Sequence, residues 1–316
     1  MKRSGLTLLE LVVVLAILAA TATAAAVATE RILAQRRAEI TTQTLDAFRR
    51  SVLGRFGRVE TVPGITTNLD APSGNGFIAD MGHFPIATGS DASTQLSELW
   101  VQPAGVSPFG LKTAPGDPDV TLMCGWRGPY LDLPLDAVRL RDGYGRDLRV
   151  LSSDMSGSPI DAIDGAPVHG ITSLGSDGEI GIVNSERPLA GDTTAWLGPP
   201  NRFHLENISV TVVESDGAGG TTPPSQTGSV LVRIYLPDGA TGDVTFRQSS
   251  LFATSASAGN ASFVFADVPI GPKVLRAYWV SGDASQSVTS AVTTIDISRG
   301  GKTDFTLRLP PLPAGP

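Results

Sequence analysis

The sequence predicts an α+β fold: one long N-terminal helix packed on a small antiparallel sheet, followed by an all-β sandwich domain. Three observations predict it. Neither Pro nor Gly occurs between Leu6 and Leu53, so nothing interrupts a helix that at 1.5 Å per residue would run roughly 70 Å. Around 140–151, Asp142-Gly143 and Gly145 permit a tight turn, after which Leu148 and Val150 alternate as a half-buried strand does. Beyond position 200, seven short alternating stretches (205–213, 229–236, 244–246, 261–266, 273–280, 292–297 and 302–309) are separated by turn residues. That pattern reads as a sandwich of about 100 residues.

The helix begins with two basic residues, Lys2 and Arg3, ahead of Gly5. Residues 11–29 then carry no charge, Pro or Gly, a length that crosses a hydrocarbon core of ~30 Å. Glu10 is the odd residue in this run, because an unpaired charge near the end of a spanning segment costs on the order of 2–3 kcal/mol. An ordinary secretory signal, with Ala22-Thr23-Ala24 as a cleavage site, or a plain anchor also starts with basic and apolar residues. A glutamate entering the run harms both of those readings, and the run continues unbroken into an amphipathic stretch. There Leu33, Ile40 and Ala47 recur every seven residues, and Leu45, Phe48 and Val52 form a second line. This second half is expected to carry the globular head on its apolar stripe, with Gly54 and Gly57 as the stop. The Thr- and Ala-rich part, 21–29, has mediocre helix propensity in water and is the expected place for loosening.

Lys2-Arg3-Ser4-Gly5 followed by Leu6-Thr7-Leu8-Leu9-Glu10 and the apolar run resembles the class III signal of type IV pilins and type II secretion pseudopilins. The resemblance implies that a prepilin peptidase cuts after Gly5 and methylates the new N-terminus at Leu6, where most members have Phe. Glu10 then becomes the fifth residue of the mature chain and meets the N-terminal amine of a neighbouring subunit. Two charges in low dielectric attract strongly only when buried together, so the pair would set axial register. The implied partners are a homo-oligomeric filament with sister pseudopilins, the prepilin peptidase, a secretion or pilus assembly platform and the membrane. The implied location is the inner membrane before assembly with a periplasmic globular part, or the cell surface for a true pilus.

Net charge over the whole chain is −7, and loss of Lys2 and Arg3 with the leader makes it two units more negative. Phosphate binding needs clustered Lys and Arg, so nucleic acid is not expected as a partner. Gly and Pro number 35 and 23 of 316 residues, below the roughly 25–30% of low-complexity disorder. Cys124 is the single cysteine, which excludes an intramolecular disulfide and reads as a small buried apolar residue.

Residues 55–125 read as mostly irregular with short helical pieces. Asp80-Met81-Gly82-His83-Phe84-Pro85 is expected to be a loop, with His83 as a surface or cap residue. Ser93-Thr94-Gln95-Leu96-Ser97-Glu98-Leu99-Trp100 is expected to be a short helix. The first stretch resembles the pseudopilin "G-x-[YF]-P" loop. Gly128-Pro129-Tyr130-Leu131, Asp142-Gly143-Tyr144-Gly145 and Ser173-Leu174-Gly175-Ser176-Asp177-Gly178 resemble three further major-pseudopilin motifs in the family's order. In that family the loop after the last of these binds calcium. By resemblance the oxygens come from Leu174 and Ser176, and the carboxylates from Asp177 and Asp192. Calcium takes six to eight oxygens. Ile180-Gly181-Ile182-Val183 departs from the family pattern, and the residues alone are equally consistent with a solvated turn held by Asp177.

Within the last third, 259–277 resembles the prealbumin-like, carboxypeptidase-regulatory-type sandwich, whose modules are spacers or binding units. The expected organisation is a leader at 1–5, a spanning or filament-core helix at 6–29, its amphipathic continuation at 30–53, a pseudopilin-like head at 54–200, a β-sandwich at 201–309 and a flexible tail at 310–316. Asp117, Asp119, Asp161 and Asp164 sit in Gly/Pro-rich stretches and read as turn residues. There is no G-x-S-x-G, phosphate-binding Gly-Lys loop or H-E-x-x-H, and the three histidines are not at ligand spacing. The expected role is therefore structural and not enzymatic: a pseudopilin of a periplasmic type II secretion-type filament. The alternative is a minor or adhesive type IV pilin whose sandwich binds a surface or glycan.

Overall fold

The computed structural model describes residues 8–54, 76–89, 95–133, 138–154, 158–176, 178–179, 192–197, 205–255, 259–298 and 302–313. Helix α1 (Leu8–Leu53) is one unbroken rod of 46 residues, about 70 Å long. It ends where Gly54 turns to φ 83° and donates to the Arg50 carbonyl at 2.9 Å, a left-handed stop that favours glycine. Every described side chain from 9 to 33 is exposed. Burial begins further along, on a single line. Thr41, Leu45, Phe48 and Val52 are buried, and Ala34 and Ala38 half-buried, at alternating spacings of four and three residues. The expected Leu33–Ile40–Ala47 stripe does not act as one face. Leu33 and Ile40 are 48% and 49% exposed, and only Ala47 touches the head.

Helix α2 (Phe77–Met81), all of it buried, lies against the end of α1 and stops at Gly82 with φ 76°. The expected helix near Leu96 is reduced to a single 3-10 turn, Ser97–Leu99. A hairpin of β1 (Gly110–Ala114) and β2 (Asp117–Cys124) then occupies ground expected to be irregular. The head's own sheet has the order β4 (Pro159–Asp161), β3 (Arg149–Ser153), β5 (Gly170–Ser173), β6 (Thr193–Trp196), all antiparallel. Leu148 and Val150 point inward, as their alternation predicts, and meet Phe48, Val52 and Ile171 in one core.

Two further sheets face each other across a second core. One contains β7 (Leu205–Ser215) and β8 (Thr221–Thr222). The other contains β9 (Gly228–Pro237), β10 (Val244–Gln248) and β11 (Phe252–Thr254). Strand β12 (Ala261–Pro269) joins β7 in the first sheet; β13 (Gly271–Ser281), β14 (Ser287–Thr289) and β15 (Thr293–Ile297) join the second. The final strand, β16 (Asp304–Leu309), returns beside β7 in parallel. The inward positions Ile208, Val210, Val212, Val230, Val232 and Ile234 alternate with more exposed neighbours, as strands with one buried face must. The α+β expectation, with a helix on a small sheet and β-sheets after it, is met.

Head and sandwich are not beads on a string. The β1–β2 hairpin packs Ala114, Val120, Leu122 and Cys124 against Tyr235, Val244 and Val274, while Ile270 enters the head core beside Phe77 and Met81. Asp117 was expected to be a turn residue, and it borders the turn between β1 and β2. It is also buried there, accepting from the Arg276 guanidinium and the hydroxyls of Tyr235 and Tyr278. Asp161 and Asp164 likewise hold structure, pairing with Arg149 and accepting from the Gly89 amide. On the head side Asp80 is buried. It accepts from Arg127 at 2.6 Å and Tyr130 at 3.1 Å, and burial still raises its carboxyl to about 6. Lys273 is fully buried, its Nζ donating to the carbonyls of Ile270 and Pro272, both at 3.2 Å. Burial pushes this amine down to about 7 from its ordinary 10.5.

Between those two values the unfolded chain holds a proton on Lys273 that the folded chain has shed, so this group makes stability rise as pH rises. The expected slope from it is on the order of 1 kcal/mol per pH unit. Urea unfolding of the wild type between about pH 7 and 10 should show this rise, and Lys273→Met should flatten it. An identical slope in the variant would show that Lys273 does not titrate across that range.

Candidate functional site

The long helix and the surface that grips it form the candidate site. Leu9, Leu11, Val12, Val13, Val14, Leu15, Ile17 and Leu18 are all about half exposed or more, and the segment is long and apolar enough to cross a membrane. Among the described residues nothing packs on it. Glu10 is exposed on this rod and lies in its first described turn. Gly5 and Leu6, the expected processing positions, lie outside the described residues. Across 21–29 the helix is continuous, with Thr21 donating to the Leu18 carbonyl, Thr23 to Ala19 and Thr29 to Ala25, each at 2.9 Å.

Where the helix leaves that zone, one turn clasps it. The Gly143 amide donates to Thr41 Oγ1 at 2.9 Å, and that hydroxyl in turn donates to the Arg37 carbonyl. A Cβ on Gly143 would fall 1.9 Å from the same Arg37 oxygen, so the position admits only glycine. Buried Asp142 organises the clasp. Its Oδ1 accepts from the amides of Tyr144 and Arg146, both at 2.9 Å, and its Oδ2 accepts from Ser173 Oγ at 2.7 Å. The Ser173 hydroxyl accepts from the Gly175 amide at 3.2 Å. One carboxylate thus ties the helix clasp to the end of β5. The Asp-Gly-Tyr-Gly turn marks the place in the sequence; nothing there identifies Thr41 as its partner.

Calcium was expected in the loop that follows, on Leu174, Ser176, Asp177 and Asp192. Arg146 donates from Nη1 to the Gly175 carbonyl at 2.7 Å and from Nη2 to the Ser176 carbonyl at 3.0 Å. The Leu174 carbonyl accepts from the Gly178 amide at 3.1 Å. Asp177 lies outside the described residues, and Asp192 is exposed just before β6. Of the described oxygens, the Gly175 and Ser176 carbonyls are thus engaged by the Arg146 guanidinium, and like-charge repulsion opposes a divalent cation beside it. Among the described residues no group of three or more His, Cys, Asp or Glu side chains is placed to hold a metal. Cys124 is buried, and burial lifts its thiol to about 11, which keeps it protonated and unreactive.

Chelation with EDTA is expected to leave the melting temperature of the protein unchanged. Arg146→Ala, which removes two charge-assisted hydrogen bonds, should lower stability by about 2 kcal/mol. A fall in melting temperature on chelation, restored by added calcium, would overturn this assignment.

Comparison with known proteins bears on the same helix. Residues 1–26 match the family described as the prokaryotic N-terminal methylation motif. No curated protein and no solved structure matches the chain. The motif belongs to the type IV pilin and pseudopilin class, whose members are cut by a prepilin peptidase, anchored in the inner membrane and assembled through this helix. The chain carries that class's N-terminal methylation motif on a single continuous helix, with its globular part gripping only the distal end.

Proposed function

We propose that the protein is a pseudopilin, a structural subunit of a periplasmic type II secretion-type filament, and that it has no enzymatic role. The observation that carries the reading is the division of α1. Its described residues through Thr29 are uncharged apart from Glu10, and those from 9 onward are exposed, whereas one face of its last three turns is buried in the head. A rod that no other described residue covers is stable in lipid before assembly and among neighbouring rods after it. Glu10 is costly in either place unless it meets a positive charge, and the amine freed by cleavage after Gly5 supplies one. Processing at Gly5–Leu6 and a register set by Glu10 are parts of this proposal. A secretion filament is favoured over an adhesive pilus by the three head motifs and by the single buried cysteine, which leaves no disulfide-closed C-terminal loop.

Glu10→Gln keeps the size of the side chain and removes its charge. The variant is expected to be cleaved and inserted normally, while its incorporation into cross-linked or sheared filaments falls at least tenfold. Normal incorporation would remove the register role. Mass spectrometry of the mature chain should place N-methylated Leu6 first. Secretion lost on gene deletion with surface attachment intact supports the secretion filament; the reverse supports the adhesive pilus. Removing the sandwich would discriminate poorly, because it strips the cover from Val120, Leu122 and Cys124.

A further inference from the structure

The apolar run of α1 ends in charge. Glu30 and Arg31 follow the uncharged stretch at 11–29, and Arg36 and Arg37 come within about two turns of them. Basic residues beside a spanning helix ordinarily gather on the cytoplasmic flank. These three arginines lie on the opposite flank, with the globular part, and cleavage after Gly5 would strip Lys2 and Arg3 from the first. Arg31, Arg36 and Arg37 are all exposed, as are Ile32 and Leu33 between them. The Gly143 turn of the head meets the Arg37 carbonyl and leaves that residue exposed.

The unbroken rod fixes the directions and depths of these side chains. At 3.6 residues per turn, Arg36 and Arg37 lie about 140° and 240° round the helix from Arg31. They form a collar and not a stripe. A stripe fits one neighbouring surface, whereas a collar fits a layer that surrounds the rod. At 1.5 Å per residue the uncharged run covers about 28 Å, enough to fill a hydrocarbon core of ~30 Å. The Cα atoms of Arg36 and Arg37 then lie about 10–12 Å past Thr29. Helical side chains lean towards the N-terminus and cover the preceding turn. That lean brings both guanidinium groups back by about 5 Å, into a headgroup layer roughly 5–7 Å thick.

We propose that, before assembly, Arg36 and Arg37 bind the headgroups of acidic phospholipids in the leaflet on the side of the globular part, with Ile32 and Leu33 resting at the acyl boundary. Guanidinium groups take phosphate oxygens through paired N–H donors, and each basic residue beside an acidic leaflet adds attraction. Glu30 sits at the level of Arg31 and offsets it, so the preference rests on the other two. Glu39 lies further out, about 15 Å past Thr29, and accepts from Gln35 Nε2 at 3.0 Å. The inference rests on the anchoring of α1 in a membrane and holds for a secretion filament and an adhesive pilus alike.

The test reconstitutes the full-length, processed protein in phosphatidylcholine bilayers containing trace spin-labelled phosphatidylglycerol or, in parallel, spin-labelled phosphatidylcholine. Electron spin resonance then reads the lipid held at the protein surface. The wild type is expected to prefer phosphatidylglycerol at least twofold, averaged over both leaflets, and 1 M salt should weaken that preference. Arg36→Gln with Arg37→Gln should remove most of it, the two lysine variants should keep it, and Glu30→Gln should strengthen it. Arg49→Gln with Arg50→Gln deletes the same charge about 30 Å past Thr29, several screening lengths away, and should change nothing. No preference in the wild type, or an equal loss in the Arg49/Arg50 control, would overturn the proposal. So would an Arg36/Arg37 glutamine variant that keeps its lipid preference but fails to enter filaments, since these arginines would then serve an acidic surface of a neighbouring copy. A protein that restricts no lipid at all is not inserted, and that result overturns the anchoring itself.

Discussion

A 46-residue helix that finds packing for only its last three turns places the remainder of the structure under one constraint. Among the described residues none covers the apolar half, whose side chains are all exposed. At about 25 cal/mol per Å², leaving that many Leu, Val and Ile side chains in water is expensive. The mature protein therefore exists in lipid or among other copies of the same rod. The head needs only to hold the distal end, and it does so with a narrow line of contacts, Thr41 to Val52, while leaving Leu33 and Ile40 outward for neighbours.

The grip combines non-directional and directional forces. Phe48 and Val52 supply burial but would tolerate sliding by a turn. The Gly143 clasp does not, because its hydrogen bond to Thr41 and its contact with the Arg37 carbonyl exist at one rotation and one height of the helix. Asp142 then couples that clasp to β5 and, through Arg146, to the loop carbonyls beyond it. A guanidinium in that position does what a bound cation would do for a loop of carbonyl oxygens, and it is supplied covalently by the same turn that holds the helix. Loop closure and helix docking are thus one network and not two.

Much of this was legible in the residues. The uninterrupted run from Leu6, the line of Leu45, Phe48 and Val52, and the alternation in β7, β9 and β13 follow from periodicity alone, and their boundaries fall within a few residues of expectation. The β1–β2 hairpin was missed because its inward residues, Val120, Leu122 and Cys124, are interleaved with Asp, Thr and Met in a Gly/Pro-rich context. Its partner surface lies more than a hundred positions away on the sandwich. The burial of Asp117 was hidden for the same reason: the turn beside Gly116 is plain, whereas Arg276 arrives from a distant strand. The Leu33–Ile40 line was over-read, since periodicity reports that a face is apolar and not which molecule covers it. The clasp was half visible, its turn chemistry plain and its helix partner hidden.

The seam between head and sandwich carries the consequence furthest from sequence. It buries the Asp117 carboxylate among its three donors, a second acid at Asp80 and an amine at Lys273, none of which is the cheapest way to glue two surfaces. Apolar contacts alone would allow the two bodies many orientations of similar energy. Buried polar groups satisfied at only one geometry, Asp117 with Arg276 and two tyrosines, leave other orientations with unpaired charge. The head is in turn held at one height on α1 through Gly143, so one chain of directional bonds links the N-terminal helix to the outer sheets.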